Sequence, residues 1–147
     1  MIKEIWFPWD DAGDVQFLIC GLTQKDRMEL LKNSESLSKK WQKRALASFW
    51  DSIDFHVYNE KLIQKIVIDA NGLKNKHLLE IYDCIGEKKE LWKFKGDGKR
   101  ETEIIFESTV KNELSHCYSQ NFIDFINAAI NAIDDANRKE KENELKN

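Results

Sequence analysis

The chain has 147 residues, 41% of them hydrophobic and 33% charged, which suits one globular domain with a substantial core. Its five Trp, eight Phe and three Tyr exclude a disordered chain, because disordered chains are poor in large apolar side chains. The net charge of −3 is too small to predict, by itself, either attraction to nucleic acid or exclusion from it.

The cysteines and the N-terminus point to the cytoplasm. Cys20, Cys84 and Cys117 are far apart and form no CxxC pair, so neither a disulfide framework nor a zinc ribbon is predicted. The first residues lack a basic region followed by an apolar run, and no stretch reaches about 18 apolar residues. We therefore expect a cytoplasmic protein with no membrane association.

The N-terminal segment predicts an antiparallel hairpin. Ile2–Trp9 and Val15–Gly21 have strand character, and the turn-forming residues Asp10–Asp14 separate them. Strand alternation divides the first strand between two faces, with Trp6 and Pro8 on one and Ile5, Phe7 and Trp9 on the other. One of these faces should enter the core.

Three helical patterns follow the hairpin. Thr23, with Asp26 three residues on, predicts a capped helix that ends near Lys32. Apolar residues then recur every four positions and predict a long helix that continues to Val57; they are Leu37, Trp41, Ala45, Phe49 and Ile53. The stretch 62–67 predicts a short helix closed by Gly72, with a strand and an Asn-Gly turn as the alternative.

The second half of the chain predicts three strands and a helix. The strands are His77–Ile85, Glu90–Lys95 and Thr102–Glu107, and the helix runs from about Ser119 or Asn121 to Ile133. The predicted fold is α+β, with an antiparallel sheet of about five strands, two N-terminal and three central, packed against a long helix and a C-terminal helix. Residues 1–133 should form a single domain, and residues 134–147 a solvated helical extension or a frayed tail.

The sequence contains no specific motif for catalysis, a metal or a nucleotide. Gly96 and Gly98 fit a hairpin turn, and Glu113–His116 is one ExxH unit where a di-metal site needs two. We therefore expect no enzyme activity, no metal and no cofactor. The alternative is an enzyme or small-ligand domain whose site combines sequence-remote acids, such as Asp51 and Asp54, with His56.

A basic run at Lys39–Arg44 gives a third hypothesis, a nucleic-acid-binding regulator. In a helix, Trp41 falls on the apolar stripe while the cations occupy another face, so a solvated helix face explains the run. We do not expect nucleic acid as the partner.

Acids and aromatic residues recur together, which favours a surface for a basic protein partner. Residues 1–22 hold four acids and one base, and a similar mixture follows between Trp50 and Glu60. If the two regions share one side, aromatic anchors and carboxylates would form a partner-binding surface. The predicted partner-binding residues are Trp9, Asp10, Asp11, Asp14, Trp50, Asp51, Asp54, Tyr58 and Glu60. Alternatively, the aromatic side chains fill the core and the acids maintain solubility.

A small, aromatic-rich acidic domain without catalytic motifs is similar in general character to bacterial immunity proteins, including those of contact-dependent inhibition. Such proteins bind and neutralise a cognate toxin domain, often a nuclease. The resemblance implies a non-catalytic inhibitor with a basic partner such as a toxin nuclease domain, and it carries no individual residue over. The sequence gives no signal of oligomeric state.

Overall fold

The computed structural model describes residues 4–10, 13–34, 54–82, 99, 101–116 and 120–146. These ranges form an α+β fold with a three-stranded antiparallel sheet. The strands are β1 (Glu4–Pro8), β2 (Gln16–Cys20) and β3 (Val67–Asn71), and β2 lies in the centre. The helices are α1 (Gln24–Asn33), α2 (Phe55–Ile66), α3 (Asn75–Tyr82), α4 (Ser108–Ser115) and α5 (Gln120–Lys146).

The predicted N-terminal hairpin is confirmed. β1 pairs antiparallel with β2, and its exposed and half-buried residues alternate along the strand. Ile5 and Phe7 pack against the core while Trp6 is exposed, as strand alternation predicts. β3 pairs with the other side of β2, and the register shift near Ile19 leaves Ile68 as the extra residue of a bulge.

The capped helix after the hairpin is also confirmed. Thr23 Oγ1 accepts from the backbone N–H of Asp26 at 3.1 Å, and Asp26 Oδ2 accepts from the backbone N–H of Thr23 at 3.1 Å. This reciprocal capping box satisfies two N–H groups at the start of α1. Arg27 of the same helix pairs with Asp134 of α5 at 2.6 Å, which ties the two helices together.

The long predicted helix does not continue to Val57. Asp54 is extended, with φ −88° and ψ 103°, and it caps a separate helix that begins at Phe55. The other predicted residues of the long helix, from Leu37 to Ile53, lie outside the described residues. The next pattern contains both predicted alternatives, because α2 ends at Ile66 and β3 follows directly.

The prediction of about five strands is confirmed only in part, since the described residues contain three. The strand predicted at His77–Ile85 is wrong as far as Tyr82, because residues 75–82 form α3. His77 helps to start this helix, since its Nδ1 accepts from the backbone N–H of Lys74 at 3.0 Å. The strand predicted at Glu90–Lys95 lies outside the described residues.

The strand predicted at Thr102–Glu107 is reduced to one bridge between Lys74 and Glu103. The backbone N–H of Ile104 donates to the carbonyl of Leu73 at 2.7 Å, but regular pairing does not extend further. The predicted alternation is nevertheless present, because Ile104 is buried, Ile105 is exposed and Phe106 is partly buried against the core.

The core lies between the inner face of the sheet and the helices. Phe17 of β2 contacts Phe122 of α5 edge to face, with ring centroids 5.5 Å apart. The buried apolar residues belong to a single cluster that also includes Leu62, Ile66 and Leu78. Within the part of the chain that the structure describes, no helix is long and apolar enough to cross a membrane.

Candidate functional site

The hairpin turn uses one of the predicted binding acids to hold its own backbone. Asp10 Oδ1 accepts from the backbone N–H of Val15 at 3.3 Å, and the carbonyl of Asp10 accepts from Gly13 at 3.1 Å. Trp9 closes the turn by donating its backbone N–H to the carbonyl of Val15 at 2.9 Å. Asp10 therefore shapes the turn, although its carboxylate still contributes negative charge there.

Trp9 packs this turn against the C-terminal helix, α5. Its ring meets Phe122 and Phe125 edge to face, with centroid distances of 5.6 and 5.3 Å. These contacts make Trp9 part of the margin of the core, and only part of its ring faces solvent. Asp14, by contrast, is exposed in the same turn. Asp11 lies outside the described residues.

The start of α2 carries the second group of predicted residues. Asp54 Oδ1 accepts from the backbone N–H groups of His56 and Val57 at 3.1 and 3.3 Å, so it caps the helix. Next to it, Phe55 is 54% exposed and its ring centroid lies 6.2 Å from that of Tyr58. The start of α2 thus exposes an aromatic ring that follows a capping carboxylate in the sequence and lies near a second, half-buried aromatic ring.

Glu60, one turn further along α2, faces the end of α4. Its Oε2 lies 3.8 Å from Nε2 of His116, which can form an ion pair when the imidazole is protonated. Trp50 and Asp51, the other two predicted residues, lie outside the described residues, as does the basic run Lys39–Arg44.

The predicted binding residues fall into two groups, one on the hairpin turn and one on α2. Trp9, Asp10 and Asp14 share the turn between β1 and β2. α2 runs into β3 at Val67, which pairs with Ile19 near the end of β2 that is remote from this turn. The last turn of α2 therefore lies at the far end of the sheet, where Cys20 Sγ contacts the carbonyl of Lys65 at 3.5 Å. That the turn and the start of α2 form one continuous surface stays a prediction.

Ser115, His116 and Glu60 meet in an order that resembles a catalytic triad. Ser115 Oγ lies 3.2 Å from His116 Nδ1, whose ring also faces Glu60. However, Nδ1 lies 2.7 Å from the carbonyl of Asn112, and a carbonyl only accepts, so this nitrogen carries a proton. Ser115 Oγ donates to the same carbonyl at 2.6 Å. A protonated Nδ1 has no lone pair to accept the serine proton, and both side chains instead bind the Asn112 carbonyl near the C-terminus of α4.

Two concave regions bear on the small-ligand alternative. One, of about 380 Å³, is lined by Gln64, Ser108, Lys111 and Asn112. The other, of about 430 Å³, is lined by Asn137, Arg138, Glu140, Lys141 and Glu144 along α5. Neither described lining includes Asp54 or His56. Among the described residues, no group of three or more His, Cys, Asp or Glu side chains is arranged to hold a metal ion.

The shifted pKa values in the described ranges have structural causes. Burial raises the pKa of the Cys20 thiol, and the nearby Glu4 carboxylate adds to this effect. Hydrogen bonds from Lys76 and Lys74 lower the pKa of Glu101. These groups support packing and a surface ion-pair cluster, and neither belongs to the predicted binding surface.

Sequence reasoning left out two aromatic residues that the structure exposes. Trp6 is 41% exposed on the face of β1 opposite the core, and Phe55 is 54% exposed at the start of α2. The signal for Trp6 was the alternation along β1, which places its side chain on the other face of the strand from Ile5 and Phe7. The signal for Phe55 was its place after Asp54, in the first turn of a capped helix.

Comparison with known proteins gave no match to a family model, to a curated protein or to a solved structure.

Proposed function

We propose that this chain is a non-catalytic binding domain that captures a basic protein partner, in the manner of an immunity protein that neutralises a toxin domain. The partner would carry Lys or Arg side chains that pair with surface carboxylates, together with an apolar group that packs on an exposed aromatic ring. A nuclease domain, whose basic surface serves to bind phosphates, has this chemistry.

The observation that carries the proposal is the exposed ring of Phe55 beside Asp54. Phe55 is 54% exposed, and a partner that covers this large apolar side chain lowers the free energy of the complex. Asp54 directly precedes Phe55 and caps α2, so its carboxylate places negative charge at the same end of the helix. Tyr58 and Glu60 extend the same helix with a half-buried aromatic ring and a further acid.

Asp14 supplies charge at the hairpin turn. It is exposed, so replacing its side chain removes negative charge without disturbing the backbone hydrogen bonds that Asp10 accepts. Carboxylates near an interface mainly accelerate association with a cationic partner and set its orientation. We assign Asp14 this steering role and Phe55 the role of anchor.

The test is co-expression of the chain with the product of the neighbouring reading frame, followed by calorimetric titration of the two purified proteins. Phe55→Ser should weaken the complex by about tenfold or more, as expected for an aromatic anchor. Met28→Ser is the matched control, because Met28 is similarly exposed, at 53%, on α1. A chain that binds no protein and instead turns over a small substrate would overturn the proposal.

A further inference from the structure

The outer face of the sheet is a second surface with aromatic and acidic character. The register places Trp6 opposite Leu18 and Leu18 opposite Asp69, so these residues form one row across the three strands. Paired residues in antiparallel strands share a face, and the core-facing residues of the same strands lie on the other side. The row thus presents an indole, an aliphatic side chain and a carboxylate side by side.

This row is open to solvent. Trp6 is 41% exposed, and Ile68, the extra residue of the β3 bulge, is 43% exposed beside Asp69. Leu18 is half-buried between its neighbours. An indole and an aliphatic side chain at adjacent positions provide the apolar centre that a protein interface needs.

The charged side chains of the three strands are acidic. The three strands contain the carboxylates of Glu4 and Asp69, both exposed, and no Lys or Arg. Lys65 and Lys111 are close enough to act on Cys20, at the corner of the face where Glu4 pairs with Cys20. Asp69 lies on the other edge strand, opposite Leu18. An apolar centre with a carboxylate at the edge of β3 is complementary to a segment that combines Lys or Arg with apolar side chains.

We propose that the outer face of the sheet, centred on Trp6, Leu18 and Asp69, docks a basic, apolar segment of the protein partner. This inference rests on the proposed function and names a surface beyond the turn and the start of α2. Trp6 fills an apolar position on the partner segment, and Asp69 pairs with a flanking cation.

The probe is a synthetic peptide that alternates lysine with leucine, titrated into the isotopically labelled full chain and followed by NMR. Signals of the Trp6 indole N–H and of the Leu18 and Ile68 methyl groups should shift. Trp6→Ser should weaken binding by about tenfold or more, because it removes the aromatic anchor. Asp69→Asn keeps an oxygen that can accept from the Ala70 N–H, and should weaken binding by about threefold at low salt.

Two controls distinguish peptide binding at this surface from non-specific apolar binding. Ile105→Ser alters an isoleucine that is 82% exposed outside the sheet, and it should leave peptide binding unchanged. A peptide with glutamate in place of lysine should not shift the Trp6 signal, because its charge has the wrong sign.

Three results would overturn the inference. Shifts confined to Asp14, Asp54 and Phe55 would retain the proposed function and place the docking surface there. A cationic peptide that shifts no signal would contradict both the surface and the charge complementarity of the proposed function. Self-association of the chain that Trp6→Ser abolishes in analytical ultracentrifugation would show that a second copy occupies this face.

Discussion

Trp6 and Trp9 lie close together in the sequence and have opposite roles. The ring of Trp9 contacts Phe122 and Phe125 of α5, whereas Trp6 is 41% exposed on the outer face of β1. Alternation along the strand explains the difference, because successive side chains of a strand point to opposite faces. A cluster that looks uniform in composition is thus divided between the core and the surface.

This division predicts unequal effects on stability. Trp9→Ala should reduce the free energy of unfolding by about 3 kcal/mol, since it removes a large ring from the margin of the core. Trp6→Ala should reduce it by about 1 kcal/mol or less, because much of that ring is already in water. Urea unfolding of both variants measures the difference, and equal losses would contradict the assigned roles.

Asp26 illustrates how a local hydrogen bond makes stability depend on pH. The backbone and side chain of Thr23 lower the pKa of Asp26 below its ordinary value of 3.8. A carboxyl group with a lowered pKa in the folded state stabilises the fold above its unfolded-state pKa. This stabilisation is lost as the pH falls through the lowered value.

Asp26→Asn should therefore lower the free energy of unfolding at neutral pH, and the difference from the unmodified chain should shrink well below pH 3.8. Denaturant unfolding at several pH values measures this. Glu29→Gln, which alters an exposed acid on the same helix, is the control. A difference between Asp26→Asn and the unmodified chain that stays constant across this range would show that the charge of Asp26 contributes nothing.

The turn after β3 is constrained by its contact with the hairpin. Gly72 has φ +75°, and a Cβ added there would collide with the carbonyl oxygen of Asp14. Gly13 has a similar φ of +73°, but the space around its Cα is open. The two glycines thus separate the cost of a left-handed backbone from the cost of a steric collision.

Gly72→Ala should reduce the free energy of unfolding by about 3 kcal/mol or more, because strain and collision combine. Gly13→Ala should cost about 1 kcal/mol, from backbone strain alone. Thermal and urea unfolding compare the two variants. Similar losses would mean that the turn moves away from the hairpin without penalty.

The sequence predicts elements well where the deciding interactions are local. The hairpin follows from alternation and turn residues, and α1 follows from Thr23 and Asp26. α3 was missed because His77, Leu78 and Ile81 fit a buried strand as readily as a short helix. The backbone hydrogen bond to the His77 ring, which helps to start that helix, is not visible in a hydrophobic pattern.

Tertiary contacts explain the remaining differences. Glu103 meets Lys74 in one bridge, which depends on how distant segments come together. For the candidate site, composition predicted acids near aromatic residues, but not how each acid is used. Asp10 and Asp54 bind backbone N–H groups, whereas Asp14 is exposed, and only folded geometry distinguishes them.

In the molecule as a whole, some acids build the structure and others are exposed to solvent. Asp14 is exposed on the turn, Phe55 is exposed at the start of α2, and Trp6 is exposed on the outer face of the sheet. Substituting Asp10 or Asp54 would perturb the turn or the helix cap as well as the charge. Asp14 is therefore the clearer position for testing electrostatic capture.

The most direct test of capture by charge is the rate of association with the protein partner that the calorimetric titration identifies, measured by stopped-flow at low and physiological salt. We predict fast association that slows as salt rises, and a slower rate at low salt for Asp14→Lys, with Glu29→Lys on α1 as the matched control. An association rate that is independent of salt and unchanged by Asp14→Lys would contradict capture of a basic partner by this acidic surface.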